Sequence, residues 1–155
     1  MLLALAGLAA CGGSSNPAAL KNEAFAAMAS GDAGGSVAKF DELLEGIDKN
    51  APDFIEVSVG RCQALAAVDP EKCQTDFLAL AGNSGNSITD KDYSAVVSHL
   101  VSNKEFTPAI MIMHDGMKRF PESPNMQKLL ESVTAASSKD PAAKSLMGGL
   151  GYLGD

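Results

Sequence analysis

The chain lacks tryptophan and is poor in aromatic and cationic side chains. Aromatic residues make up 5% of its 155 residues, and 12 Lys and Arg residues stand against 19 Asp and Glu residues, giving a formal net charge of −7. Nucleic-acid binding depends on clustered cations, and stacking platforms for bases or sugars depend on exposed aromatic rings. The composition therefore argues against both functions. The length corresponds to one domain that can bury a core.

Long apolar runs are also absent, except at the N-terminus. Met1–Ala10 (MLLALAGLAA) contains only apolar residues and glycine, and it is too short to span a bilayer. Cys11 follows directly, and Gly12–Asn16 (GGSSN) has the composition of a flexible tether. An apolar run that ends in small residues is typical of a signal peptide. The alternatives are an ordinary secretory signal without lipid, or a buried N-terminal helix with a free cysteine.

Leu8-Ala9-Ala10-Cys11 resembles the bacterial lipobox. The resemblance implies that residues 1–10 are a lipoprotein signal peptide, cut before Cys11, whose sulfur then carries a diacyl anchor. Residues 11–17 are then the lipidated cysteine and a short tether, and residues 18–155 form the folded domain. Gly12, which stands where an aspartate would retain such a lipoprotein in the inner membrane, implies the outer membrane of a Gram-negative cell envelope, facing the periplasm.

Two cysteines remain after Cys11, namely Cys62 and Cys73. In an oxidising periplasm such a pair predicts a disulfide, which contributes about 2–3 kcal/mol in the chain-entropy model. A pair of buried free thiols is the alternative. The sequence has no CxxC motif and no histidine near either cysteine, so the pair does not predict a metal site.

Beyond residue 20 no stretch alternates apolar and polar residues, whereas helical spacing is common. An N-cap residue precedes a proline at Asn16-Pro17, Asp69-Pro70, Thr107-Pro108, Ser123-Pro124 and Asp140-Pro141. Thr89 and Asp92 resemble a capping box. These signals predict an all-α chain of antiparallel hairpins with helices at residues 17–30, 36–49, 52–68, 70–81, 90–102, 107–120, 124–138 and 141–150.

Eight residues in the second half of the chain follow the spacing of a two-helix unit. They are Tyr93, Val96, Val97, Leu100, Ala109, Met113, Gly116 and Pro121. Residues 90–121 thereby resemble a tetratricopeptide repeat, and residues 23–53 show a weaker version. The resemblance implies hairpins stacked as a short tetratricopeptide-like α-solenoid that binds a protein or peptide partner in a groove. By the same resemblance, Lys91, Ser94 and Ser98 line that groove, with Arg61 from the preceding hairpin.

The apolar residues of this unit also have a simpler role. Ile110, Met113, Met117 and Phe120 form one stripe of a helix, which predicts a core face. Gly116 beside the stripe predicts close approach of a neighbouring helix. An adaptable exposed surface rich in methionine is the alternative.

Motifs for catalysis are missing. The sequence contains neither a G-x-S-x-G elbow nor a phosphate-binding loop, so it predicts a non-enzymatic protein without a cofactor. The alternative is a metal-binding or hydrolytic protein that uses His99 and His114, with Asp92 or Asp115 as a further ligand. A purely structural envelope lipoprotein is a third possibility. The apolar, glycine-rich segment 146–153 predicts either a docking tail or a helix end packed on the last hairpin.

Overall fold

The computed structural model describes residues 16–153, apart from the side chain of Asn86. Within this range the chain is all-α. The α-helices are α1 (Pro17–Ala29), α2 (Ala33–Gly46), α3 (Phe54–Val68), α4 (Pro70–Asn83), α5 (Asp90–Ser102), α6 (Phe106–Arg119), α7 (Pro124–Ser137) and α8 (Pro141–Gly149). None of the described helices is both long and apolar enough to cross a membrane. The predicted signal peptide at residues 1–10 and Cys11 lie outside the described residues.

Four of the predicted N-caps are confirmed. The caps Asn16, Asp69, Ser123 and Asp140 each accept a backbone hydrogen bond from the first turn of the next helix, and each precedes a proline. The predicted capping box at the start of α5 is also confirmed, because the Asp92 carboxylate accepts the backbone N–H of Thr89 at 2.8 Å. Local signals of this kind mark the helix starts without reference to tertiary contacts.

The predicted helix start at Thr107-Pro108 is wrong. α6 begins at Phe106, with Glu105 as its N-cap. The backbone N–H of Glu105 donates to the carbonyl of Leu100 at 2.9 Å, which closes the turn after α5 and starts the next helix earlier. The proline is tolerated in the first turn because an N–H there has no partner within the helix.

The predicted bounds of the second helix also change. The prediction placed this helix at residues 36–49, whereas α2 covers Ala33–Gly46. The Asp32 carboxylate accepts the N–H of Gly35 at 2.9 Å and therefore caps the helix three residues earlier. Ile47 has extended backbone angles, with φ −93° and ψ 130°, and ends the helix.

The helices form four antiparallel hairpins that stack into a short α-solenoid. The first helices of successive hairpins, α1, α3, α5 and α7, pack side by side, and so do the second helices α4, α6 and α8. Successive first helices start at residues 17, 54, 90 and 124, and successive second helices start at 33, 70, 106 and 141. Equivalent helices therefore recur every 34 to 37 residues. Stacking lets each hairpin bury an apolar face that it cannot cover alone.

Two glycines allow the closest helix contacts. A Cβ at Gly116 of α6 would lie 2.7 Å from the Tyr93 ring of α5 and 2.6 Å from the Met126 methyl group of α7. A Cβ at Gly60 of α3 would lie 2.8 Å from the ring of Phe40. The close approach predicted at Gly116 is confirmed, and Met113 beside it is fully buried in the core.

The C-terminal segment packs on the last hairpins. Leu150, Tyr152 and Leu153 contact the main core as half-buried side chains. The Tyr152 hydroxyl lies 2.7 Å from Nδ1 of His114 in α6. The segment therefore packs on the helices, which agrees with the predicted helix end on the last hairpin rather than with a docking tail.

Candidate peptide-binding groove

A shallow groove of about 520 Å³ runs between α5 and α7. It brings together three of the four predicted groove residues, Lys91, Ser94 and Ser98, all on α5. The remaining lining residues are Ala95 on α5 and Asn125, Lys128, Leu129 and Ser132 on α7. The groove is thus shared by two successive hairpins.

The two walls of the groove are aligned at their N-terminal ends. The Asp90 carboxylate at the start of α5 accepts the Ser123 hydroxyl at 2.5 Å and the Asn125 amide at 2.9 Å, both from the start of α7. The hydrogen bond from Ser123 is the main reason why the pKa of Asp90 is lowered. α5 and α7 run parallel because both are first helices of stacked hairpins, and this bridge joins their first turns side by side.

The side chains that line the groove are neutral or cationic. They are three serines, an alanine, a leucine, an asparagine and two lysines, and no carboxylate lines it. Lys91 and Lys128 take part in none of the ion pairs of the described residues. The groove therefore offers a ligand the two ammonium groups and the hydroxyl groups of Ser98 and Ser132. The Ser94 hydroxyl instead donates to the carbonyl of Asp90 in its own helix at 2.9 Å.

Behind the groove, Tyr93 holds α5 against α6. Its ring is fully buried and packs edge-on against Phe77, with ring centroids 4.9 Å apart. Its hydroxyl donates to Asp115, which also accepts Arg119 Nε at 2.9 Å. Burial and the bond to Asp115 raise the pKa of Tyr93. The wall that carries Lys91 and Ser94 is therefore anchored on a packed core.

Arg61, which was predicted to share a groove with Lys91, Ser94 and Ser98, does not line this one. Its guanidinium bridges Asp41 of α2 and Asp76 of α4, with Nη1 2.5 Å from the Asp76 carboxylate. The side chain is 15% exposed. α3 starts 36 residues before α5, so Arg61 is equivalent to Val97, which is fully buried. A residue at this position points towards neighbouring helices, where a charge must be paired.

Arg61 and Asp76 instead border a larger groove of about 1160 Å³ around α3. Its other lining residues include Leu44 of α2, Ile55 of α3, Leu80 of α4 and the α2–α3 loop. Because Arg61 of α3 pairs with a carboxylate of α2 and a carboxylate of α4, it links these three helices.

Cys62 and Cys73 are free thiols in the structure, and both are buried. They lie on the two helices of one hairpin, α3 and α4. The predicted disulfide is not formed in the structure, which corresponds to the alternative of two buried thiols. Burial raises the pKa of Cys62 to about 12 and also raises that of Cys73. Neither sulfur is therefore a reactive thiolate at neutral pH.

A thiol titration tests the state of this pair. In a Cys11→Ala variant at pH 8, we expect an aromatic disulfide reagent to find no reactive thiol in the folded protein, because both sulfurs are buried and protonated. After unfolding in guanidinium without reductant, both thiols should react. A chain that still shows no reactive thiol after unfolding would contradict the free pair and support the disulfide.

The residues of the alternative metal site, His99, His114, Asp92 and Asp115, do not converge. His114 contacts Tyr152, Asp115 binds Tyr93 and Arg119, and Asp92 caps α5. Burial lowers the pKa of His99, the remaining histidine. Among residues 16–153, no group of three or more His, Cys, Asp or Glu side chains could hold a metal ion.

The α7 wall is the part of the groove that was not predicted from the sequence. Asn125, Lys128 and Ser132 each follow a predicted α5 residue by 34 residues. The spacing of the helix repeat could have located them, but neither stretch that carries the resemblance, residues 90–121 or the weaker residues 23–53, includes α7.

Comparison of the chain with protein-family models, with curated proteins and with solved structures finds no match.

Proposed function

We propose that this chain is a membrane-anchored envelope lipoprotein whose tetratricopeptide-like domain binds protein or peptide segments without catalysis. The observation that carries the proposal is the groove between α5 and α7. Lys91, Ser94 and Ser98, which the repeat resemblance implies as ligand-binding residues, line it together. The recurrence of equivalent helices every 34 to 37 residues supports the same resemblance.

The geometry of the groove suits a short extended segment. Lys91 and Ser98 are seven residues apart on α5, which corresponds to about 10 Å of helix. An extended chain of about three residues has this length. The lining contains no tryptophan, tyrosine or arginine, the residues that dominate tight interfaces, so we expect micromolar affinity.

An unbiased peptide selection tests the groove. A random peptide library is selected on the detergent-solubilised protein, and binding of enriched peptides is measured for Lys91→Glu and for the matched control Lys118→Glu. Lys118 is exposed on α6 and does not line the groove. We expect Lys91→Glu to weaken binding about tenfold, which corresponds to about 1.4 kcal/mol, and Lys118→Glu to leave it unchanged.

Two results would contradict this part of the proposal. If no peptide is enriched, the purely structural lipoprotein becomes the better account. If both variants weaken binding equally, the effect comes from net charge rather than from the groove.

The membrane anchor has a separate test, because Cys11 lies outside the described residues. We expect wild-type protein in bacterial cells to take up a clickable palmitate analogue and to sediment with the membrane. Cys11→Ala should lose the label and appear in the soluble fraction, since acylation supplies the membrane affinity. A matched Ser14→Ala variant should behave as wild type. A Cys11→Ala variant that stays on the membrane after signal-peptide removal would contradict lipidation.

A further inference from the structure

We infer that the groove between α5 and α7 selects an extended segment with two adjacent acidic side chains, an inference that rests on the proposed function. The first observation is one of charge. The whole chain has a net charge of −7, yet the charged residues that line this groove are the two lysines Lys91 and Lys128. Lysines that form no ion pair in the described part of the chain are free to bind carboxylates of a ligand.

Nearby carboxylates are already engaged. Asp90 accepts hydrogen bonds from Ser123 and from Asn125, which itself lines the groove, and the charge of Lys91 contributes to the lowered pKa of Asp90. Asp92 is turned back on Thr89, whose backbone N–H and hydroxyl it accepts at 2.8 and 2.7 Å. Neither carboxylate forms an ion pair with Lys91 or Lys128. The positive ends of the parallel helix dipoles of α5 and α7 lie at the same end of the groove.

The positions of the two lysines set the spacing of the ligand. Lys91 lies on the α5 wall and Lys128 on the α7 wall. Lys91 is aligned with Asn125 by the repeat, so Lys128 lies three residues further along, about 4.5 Å at the rise of an α-helix. Successive side chains of an extended segment are about 3.3 Å apart and point to opposite sides. Two adjacent acidic residues can therefore reach the two opposite walls.

The rest of the groove limits which ligand residues can lie next to the acidic pair. Ser94 lies level with Lys128, and Ser98 and Ser132 continue the lining beyond the lysines. These small side chains leave room for the ligand backbone. The Ser98 and Ser132 hydroxyls can donate to its carbonyls, whereas the Ser94 hydroxyl donates to the carbonyl of Asp90 in its own helix. They provide no deep apolar pocket for a large side chain. The expected ligand is thus a partner-protein segment with two acidic residues next to a small polar one.

Defined pentapeptides test this inference. The probes are acetyl-Gly-Asp-Glu-Ser-Gly-amide and its neutral isostere acetyl-Gly-Asn-Gln-Ser-Gly-amide, titrated into the detergent-solubilised, ¹⁵N-labelled protein at 50 mM NaCl. We expect the acidic probe to bind about three to ten times more tightly, as two exposed ion pairs allow, and to shift the amide signals of Ser94 and Ser98. We expect this preference to weaken at 300 mM NaCl because salt screens exposed pairs.

Matched double variants locate the preference. Lys91→Glu/Lys128→Glu should abolish it, whereas Lys118→Glu/Lys144→Glu, which changes the net charge equally at exposed residues outside the groove, should retain it. Equal binding of both probes, with shifts at Ser94 and Ser98, would overturn the acidic preference and leave the proposed function standing. Shifts located elsewhere, or loss of the preference in both double variants, would also overturn it. The library selection tests the proposed function independently.

Discussion

Replacement of Gly116 by alanine is expected to lower the free energy of unfolding by about 2 kcal/mol, the range that overpacking of a core costs. The new methyl group would lie 2.7 Å from the Tyr93 ring and 2.6 Å from the Met126 methyl group. Met126 is flexible and can shift, whereas the Tyr93 ring is held by Phe77 and by the bond of its hydroxyl to Asp115. The helices α5 and α6 must therefore move apart.

A matched glycine in another helix gives the control. Gly34 lies in α2, and a Cβ there would have no neighbour within 4 Å. Alanine is the better helix former by up to about 1 kcal/mol, so Gly34→Ala should raise the stability slightly. Urea unfolding followed by circular dichroism measures both. A Gly116→Ala protein as stable as wild type would contradict the close packing of α5 on α6.

Replacement of Arg61 by methionine is expected to destabilise the protein by about 2 kcal/mol at pH 7. Removing one partner of a fully buried ion pair costs about 3–5 kcal/mol, and partial exposure reduces this value. The Asp41 and Asp76 side chains are 48% and 28% exposed. Methionine retains the packing of the arginine stem but leaves two carboxylates close together without their shared cation.

The loss should depend on pH in a defined direction. Burial alone would raise the pKa of Asp76, but the hydrogen bonds from Arg61 and Lys72 outweigh burial and lower it. A carboxyl group whose pKa is lower in the folded state stabilises the fold at pH values above its unfolded pKa of about 4. This stabilisation is lost as the pH falls through the folded pKa. The difference between wild type and Arg61→Met should therefore shrink from pH 7 to pH 3 in urea titrations.

Arg119→Met provides the control for the Arg61 variant. Arg119 and Asp115 form an i, i+4 pair in which each side chain is 34% exposed. Such a pair contributes about 0.5 kcal/mol or less, so the variant should remain close to wild type. Equal effects of the two arginine variants would contradict the role of Arg61 as a tie between α2, α3 and α4.

The helices could be predicted from the sequence because their starts are encoded locally. An N-cap and a proline mark the start at Asp69-Pro70, and the same pattern marks Ser123-Pro124 and Asp140-Pro141. At Thr107-Pro108 the pattern misleads, because the turn after α5 fixes the start of α6 through a bond from Glu105 to Leu100. The start of α6 therefore depends on a hydrogen bond between the two helix ends, which a short sequence pattern does not predict.

Only one of the two walls of the candidate site could be predicted from the sequence. The α5 wall followed from a repeat resemblance, whereas the α7 wall lies outside the stretch that carries it. The partners of Arg61 could not be predicted because Asp41 and Asp76 are 20 and 15 residues away, so their proximity depends on how α2 and α4 pack on α3. The spacing is 36 residues from α3 to α5 but 34 from α5 to α7, so one fixed period does not identify equivalent residues in all three helices.

The most direct test of the central claim is site-specific photo-crosslinking in living cells. A photoreactive phenylalanine analogue is placed at Ser98, in the groove between α5 and α7, and in a second strain at Lys118, which is exposed on α6 outside it. Our account predicts a discrete crosslinked product from position 98 that is lost when Lys91 and Lys128 are replaced by glutamate, and no such product from position 118. The absence of a product at position 98, or the same product from both positions, would contradict it.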